Sequence, residues 1–386
     1  MEEERLTTHL KDRPAQLREA KKKGIKIIGT FPGDYVPEEI IYASGAVPLC
    51  LAHGGESYYP ADAALSVVPN IICPFARSQI GERLLKENPY YSMIDMLVAP
   101  ITCRHLNKVA EVWEYDADME IFKLGIPHLY DAEFELEYYT DRLRALKDRL
   151  QAFTGNEVTS EKLSESISIY NRMRELLKKI SLMRAKSHPP LSALDFIRLN
   201  HASFYADPVF MGDILDAIHR ELIGKQRATQ IEAPRILLLG PNVAYGDYKI
   251  LELVEAEGGE IVVEELCEGI RYYWRGIKNE GDLFESLSRG YLIDRIPCAF
   301  IRSSAKRRLD FVIKLIMDFN VSGIIWYNLI NCETYDSESY FFNRKMSERN
   351  IPMLILESNY STADIGPLRI RISAFIELLK EREKND

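Results

Sequence analysis

The sequence predicts an α/β protein in which two parallel-sheet lobes flank an all-helical middle. Three observations carry this. From residue 24 to 127 short apolar runs alternate with helical stretches, the pattern of parallel strands joined by crossover helices. From residue 133 long helical stretches replace them, and from residue 234 the alternation restarts. The 386 residues therefore divide into an N-terminal lobe (1–130), a helical segment (131–232) and a C-terminal lobe (233–386).

The elements follow in order. GIKIIGTF (24–31) is uniformly apolar around its centre and reads as a buried parallel strand. PEEIIYASGA (37–46) opens with a proline suited to a helix start. AVPLCL (46–51) is the second strand. A helix over 73–88 has Pro74 in its first turn, MIDMLVAPITC (93–103) is a strand, 105–116 a helix and MEIFKLGIP (119–127) the fourth strand. The middle holds helices over 133–153, stopped by Gly155-Asn156, over 161–187, closed by Pro189-Pro190, over 192–204 and over 207–224. Ser192-x-x-Asp195 resembles a capping box. The second lobe holds strands over 234–241, 260–267, 323–332 and 352–359, with helices over 248–260, 311–321 and 367–383.

Composition narrows the function classes. Forty-nine Lys and Arg against 58 Asp and Glu leave a net charge of −9, which argues against a general nucleic-acid or anionic-membrane binder. No run approaches the eighteen or so apolar residues of a membrane span. The first 24 residues are charged and helical in flavour, with no apolar core of a secretory signal, so a cytoplasmic protein is expected. No G-x-x-x-x-G-K-[ST] loop occurs, so ATP chemistry is not expected on this chain.

The six cysteines, at 50, 73, 103, 267, 298 and 332, are too far apart for a C-x-x-C redox or zinc motif. Their placement is regular. In each half the second strand ends at or beside a cysteine, Cys50 or Cys267. A later strand leads to another, Cys103 or Cys332, and a third, Cys73 or Cys298, lies between. Ligands of open α/β sheets bind beyond the carboxyl ends of the strands. If the two sheets face each other, the thiols converge on one cleft. Sulfur-only ligation favours an iron–sulfur group over catalytic zinc.

At these residues the chain resembles the 2-hydroxyacyl-CoA dehydratase D-component family, which includes subunits of ATP-dependent benzoyl-CoA reductase. The resemblance runs through GTFPGDYVPEEIIYASGAVPLC, NIICPFARSQIG, DMLVAPITC, GIIWYNLINCETYDSES and ESNYSTADIGPLRIRISAFIE. It implies two flavodoxin-like lobes with an iron–sulfur cluster between them. By motif, the [4Fe–4S] ligands of the dehydratases correspond to Cys73, Cys103 and Cys332. Cys50, Cys267 and Cys298 are additional. A homodimeric branch of the family, the double-cubane cluster proteins, uses six cysteines for an [8Fe–9S] group, and resemblance to it assigns these three to the second cubane. Arg104-His105 stands where the dehydratases would carry an acidic residue. The resemblance further implies an ATP-hydrolysing activator as electron donor and a small-molecule substrate. Two other readings remain: a dehydratase subunit with one [4Fe–4S] cluster, and a non-catalytic electron carrier or cluster store.

Further candidates adjoin the cysteines. His53, beside Glu56, is a candidate proton donor or else a satisfied loop histidine. Arg104 and His105 are candidates for balancing cluster charge, against an ordinary surface ion pair. Glu264 and Glu265 are expected to be one solvated and one packing carboxylate. The turn Gly240–Gly246 follows a strand and is a candidate for approaching a ligand, although it lacks a Walker lysine.

Overall fold

The computed structural model describes residues 2–33, 35–129, 133–225 and 233–384. The divisions expected at 130/131 and 232/233 touch residues outside that set.

Among the described residues eight strands form two sheets, all of their pairings parallel. The first holds β1 (Ile27–Thr30), β2 (Val47–Cys50), β3 (Met96–Ile101) and β4 (Glu120–Gly125) in the order β2-β1-β3-β4. The second holds β5 (Arg235–Leu239), β6 (Glu260–Glu265), β7 (Gly323–Leu329) and β8 (Met353–Ser358) in the order β6-β5-β7-β8. The two sheets are topological repeats, and the order is that of the first four strands of a flavodoxin-like sheet. β1 and β7 are buried along their whole length, which is why they read as unbroken apolar runs. The edge strands β4 and β8 are only partly covered.

The middle supplies helices Glu133–Thr154, Ser160–Leu182, Ala193–Ala202 and Pro208–Leu222. Ser160–Leu182 touches both lobes. Its buried Arg174 donates to Glu39 at 2.7 Å and to the Tyr291 hydroxyl at 2.6 Å. Asn171 exchanges hydrogen bonds with both backbone groups of Ile277. Sequence reading missed one long element, the helix Glu333–Ser347, and ran the preceding strand on to Cys332 when β7 ends at Leu329. Its acidic, aromatic-rich face carries no clean apolar stripe. Among the described residues no helix is long and apolar enough to cross a membrane.

The lobes are joined by backbone. The loop after β2 runs beside the loop after β5, with His53 and Tyr245 in a parallel bridge. Tyr245 N–H donates to Ala52 O at 2.7 Å, and Gly55 N–H to Tyr245 O at 3.0 Å. The crossing admits no side chain at two points. A Cβ on Gly55 would meet the Asp247 amide nitrogen at 2.0 Å, and one on Gly246 the Glu56 nitrogen at 2.5 Å. Gly246 also sits at φ +93°, where other residues are strained.

Two outcomes are expected. Gly246→Ala should lower stability by about 2 kcal/mol or more, from backbone strain plus the clash. Gly24→Ala has a comparable φ of +83° but open space around it, and should cost less. Calorimetric unfolding of both would refute the tight crossing if their losses were equal. The second outcome concerns Asp247, buried at the same junction with the Tyr327 hydroxyl donating to it at 3.0 Å. Burial pushes its carboxyl from 3.8 up to about 6. A folded-state value above the unfolded one means that the folded chain holds the extra proton, so stability falls as pH rises from about 4 to about 6. Asp247→Asn should remove that loss, on the order of 2–3 kcal/mol above the window. Denaturant midpoints of mutant and parent should diverge across it and then run parallel.

Candidate functional site

Both sheets present their carboxyl edges to the same cleft. Cys50 is the last residue of β2, and Cys103, Cys267 and Cys332 follow β3, β6 and β7 within three residues. Cys73, Cys103, Cys267, Cys298 and Cys332 line one cleft with Pro32, Phe75, Pro100, Phe300 and Leu329. The space between its atoms, counted out to the mouth, is about 630 Å³. Cys50 lies one step away, in an adjoining cavity of about 300 Å³ counted the same way. Pro32, Gly33 and Cys267 belong to both walls. Five of the expected thiols are thus brought together directly, and the sixth through Cys267.

The thiols fall into two environments. Cys73, Cys103 and Cys332 are the N-cap residues of the helices Pro74–Leu85, Arg104–Tyr115 and Glu333–Ser347. Free backbone amides of these first turns point at the sulfurs, including those of Phe75, Ala76, Leu106 and Tyr335. Three positive helix ends therefore meet at one wall of the cleft, an arrangement that favours anionic sulfur. Burial works the other way, pushing the Cys73 thiol up to about 12 and raising Cys103 and Cys332 as well. Left to themselves these thiols hold their protons. A bound cation would displace them.

The second environment is charged. The neighbouring Cys267 thiol holds the Cys298 thiol below its ordinary value, with Arg271 adding to the effect. The same pairing, with burial, pushes Cys267 up. The Tyr335 hydroxyl lies 3.3 Å from Cys267 Sγ and 3.5 Å from Cys298 Sγ. Arg271 Nη1 donates to Cys267 Sγ at 2.9 Å and its Nε to Glu265 at 2.6 Å. Cys50, at the far end, is raised by burial first and by Glu38 next.

The acidic pair before Cys267 departs from expectation. Neither carboxylate is solvated: Glu264 and Glu265 are both fully buried. Successive strand residues point to opposite faces. Glu264 therefore meets Arg184 of the helical middle at 2.7 Å, while Glu265 is held by Arg271 and Arg308. Burial would raise the Glu265 carboxyl, yet the two guanidiniums hold it below its ordinary value. The Gly240–Gly246 turn does reach the cleft, through Pro241 and Asn242.

None of the three proton- or charge-handling candidates is among the residues lining the cleft. His53 is buried at the lobe junction, its Nδ1 2.5 Å from Glu56 and its ring 4.5–6.2 Å from those of Tyr245, Tyr205, Tyr90 and Tyr91. Arg104 is 74% exposed and pairs with Glu333, the residue after Cys332, across the two lobes. His105 is buried and its Nδ1 accepts from the Cys73 amide at 3.3 Å, tying two thiol-bearing loops together. Arg271 and Tyr335 went unnoticed in the sequence, although Cys267-x-x-x-Arg271 is a one-turn spacing that brings the arginine back beside the preceding cysteine; the Tyr335 hydroxyl instead reaches Cys267 and Cys298, distant in sequence.

An all-sulfur donor set in an apolar cleft suits an iron–sulfur group. Two buried polar atoms next to it, Arg271 Nη2 and Glu268 Oε2, have no partner among the described residues. Among the described residues no three His, Cys, Asp or Glu side chains close on a point that could hold a single metal ion. The thiols instead surround a volume, as a polynuclear group requires.

Known proteins resemble the chain along most of its length. The chain is 27% identical over 364 residues to the candidate dehydratase subunit YjiM of Escherichia coli (strain K12), covering 93% of each. It is 22% identical to one of the subunits of benzoyl-CoA reductase from Thauera aromatica, over 92% of this chain and 91% of that one. It is 21% identical to the beta subunit of (R)-2-hydroxyglutaryl-CoA dehydratase from Acidaminococcus fermentans, over 94% and 95%. The profile of the 2-hydroxyglutaryl-CoA dehydratase D-component family matches residues 34–379, seven of the eight strands among them, and the protein belongs to this family.

Proposed function

We propose that this chain is an iron–sulfur reductase component whose six cysteines hold a double-cubane [8Fe–9S] group. The observation that carries the proposal is the pair of adjoining cavities with Cys267 in the shared wall. In this reading Cys73, Cys103 and Cys332 hold one cubane, and Cys50, Cys267 and Cys298 hold the other. The bound group would supply single electrons at low potential to a small-molecule substrate. The chain's own part is to present sulfur at helix ends, to exclude water with Pro32, Phe75, Pro100, Phe300 and Leu329, and to keep the lobes at a fixed separation. Electrons come from a separate ATP-hydrolysing activator, in keeping with the absence of a phosphate-binding loop here. A cytoplasmic homodimer completes the reading, since six thiols on one chain need no second type of subunit.

A second reading has its own support. The dehydratase relative and the three capped helices at Cys73, Cys103 and Cys332 fit a hydroxyacyl-CoA dehydratase subunit with a single [4Fe–4S] cluster.

Iron and acid-labile sulfide per chain, measured after anaerobic purification, separate the two. The double-cubane reading expects about eight irons, and the single-cluster reading about four. Cys267→Ser should lower iron towards half, and Cys332→Ser should damage the other cubane first. Full iron in Cys267→Ser would leave the single-cluster reading standing. Reduction by an ATP-driven activator is expected to be obligatory. Full turnover with a mild chemical reductant and no second protein would refute that partner.

A further inference from the structure

Arg271 sits four residues beyond Cys267, in the short helix Ile270–Tyr273, and its side chain is 1% exposed. Three of its nitrogens are accounted for differently. Nε is held by Glu265 at 2.6 Å, Nη1 donates to Cys267 Sγ at 2.9 Å, and Nη2 is buried with no partner among the described residues. The guanidinium is fixed from behind. Arg308, itself fully buried, binds the other Glu265 oxygen at 2.9 Å and also pairs with Glu338. Arg271 and Arg308 stand 5.4 Å and 5.3 Å from the centroid of the Tyr335 ring, whose hydroxyl reaches both Cys267 and Cys298.

A buried N–H left unpaired loses its hydration with nothing in return, so the orphaned Nη2 beside a sulfur wall calls for an acceptor. An anionic sulfur, either thiolate or inorganic sulfide, is the acceptor that an all-sulfur site offers. The two halves of the site differ in this respect. Among the described residues no guanidinium hydrogen-bonds to Cys73, Cys103 or Cys332, where backbone amides do the corresponding work. A charge-assisted hydrogen bond is roughly twice as strong as a neutral one, and donors to ligand atoms tune the metal they hold.

We propose that Arg271 is a positioning residue that orients Cys267 and raises the reduction potential of the half-site held by Cys50, Cys267 and Cys298, leaving the other half unaltered. This rests on the double-cubane reading. Its fixed positive charge withdraws density from the Cys267 sulfur and stabilises the electron added to that half. The geometry also explains why Arg271 needs Glu265 and Arg308 behind it: a mobile arginine would find water or the carboxylate alone.

The test is a potentiometric titration with titanium(III) as reductant, followed by electron paramagnetic resonance, on anaerobically purified protein of measured iron content. In Arg271→Met with full iron, one reduction step should move to lower potential and the other should stay. Arg271→Lys keeps a cation and should restore part of the shift. Both steps at parental potential, or both displaced equally, would overturn the proposal. Should Arg271→Met fail to fold, Arg271→Lys decides: one step displaced supports the proposal, and neither displaced overturns it. A parent protein with only about four irons would instead refute the double-cubane reading itself, before any variant is compared.

Discussion

The arrangement depends on a backbone crossing. Residues 52–56 of the first lobe run against residues 244–247 of the second, bridged at His53 and Tyr245 and with no room for a side chain at Gly55 or Gly246. Both loops leave the carboxyl ends of their strands, β2 and β5. Binding them together turns the two carboxyl edges towards each other. Because parallel strands deliver their following residues to that edge, cysteines placed after β2, β3, β6 and β7 meet in the space between. The aromatic packing of His53, Tyr90, Tyr205 and Tyr245 seals the crossing from the side.

The helical middle gives this junction stiffness. Arg174 is buried against Glu39 of the first lobe, and Arg184 lies 2.7 Å from the buried Glu264 of the second, though not aligned as a hydrogen bond. Desolvating such pairs is expensive, and they add little net stability over an apolar core. Removing one partner, however, strands a charge at a cost of about 3–5 kcal/mol, which penalises any movement of the lobes that would separate the pair. A two-lobed cleft held by hydrophobic contacts alone would slide more easily. Here the wedge of helix Ser160–Leu182 is keyed to both lobes by charge and by Asn171, and the thiols keep their spacing.

Within the cleft, burial and dipoles oppose each other. Apolar walls raise the thiols, while helix ends at Cys73, Cys103 and Cys332 and the guanidinium at Cys267 favour anionic sulfur. Apart from Cys298, these donors stay protonated without a cation, and the set is preorganised for one. Arg104 and Glu333, each directly after a cysteine, join the two lobes at the surface beside the cleft. That exposed pair is screened by water and adds little, so the buried contacts and the crossing carry the geometry.

Much of this was legible locally. Strands announce themselves as apolar runs, and Cys50, Cys103, Cys267 and Cys332 could be set at strand ends because strand length and turn residues are local properties. Parallel topology and the family resemblance follow from the same patterns. The helix Glu333–Ser347 escaped because its stability comes from packing rather than from a clean apolar stripe. The sequence by itself determined two sheets and six thiols in matching positions. Only the tertiary structure decided that Cys50 stands one cavity away from the other five, that Glu264 and Glu265 are both buried, and that Arg271, Arg308 and Tyr335 back the Cys267 wall. The reason is range. Arg308 meets Glu265 across 43 residues of chain and Arg104 meets Glu333 across 229, and pairings at such separations are set by how the lobes pack, which no local period encodes.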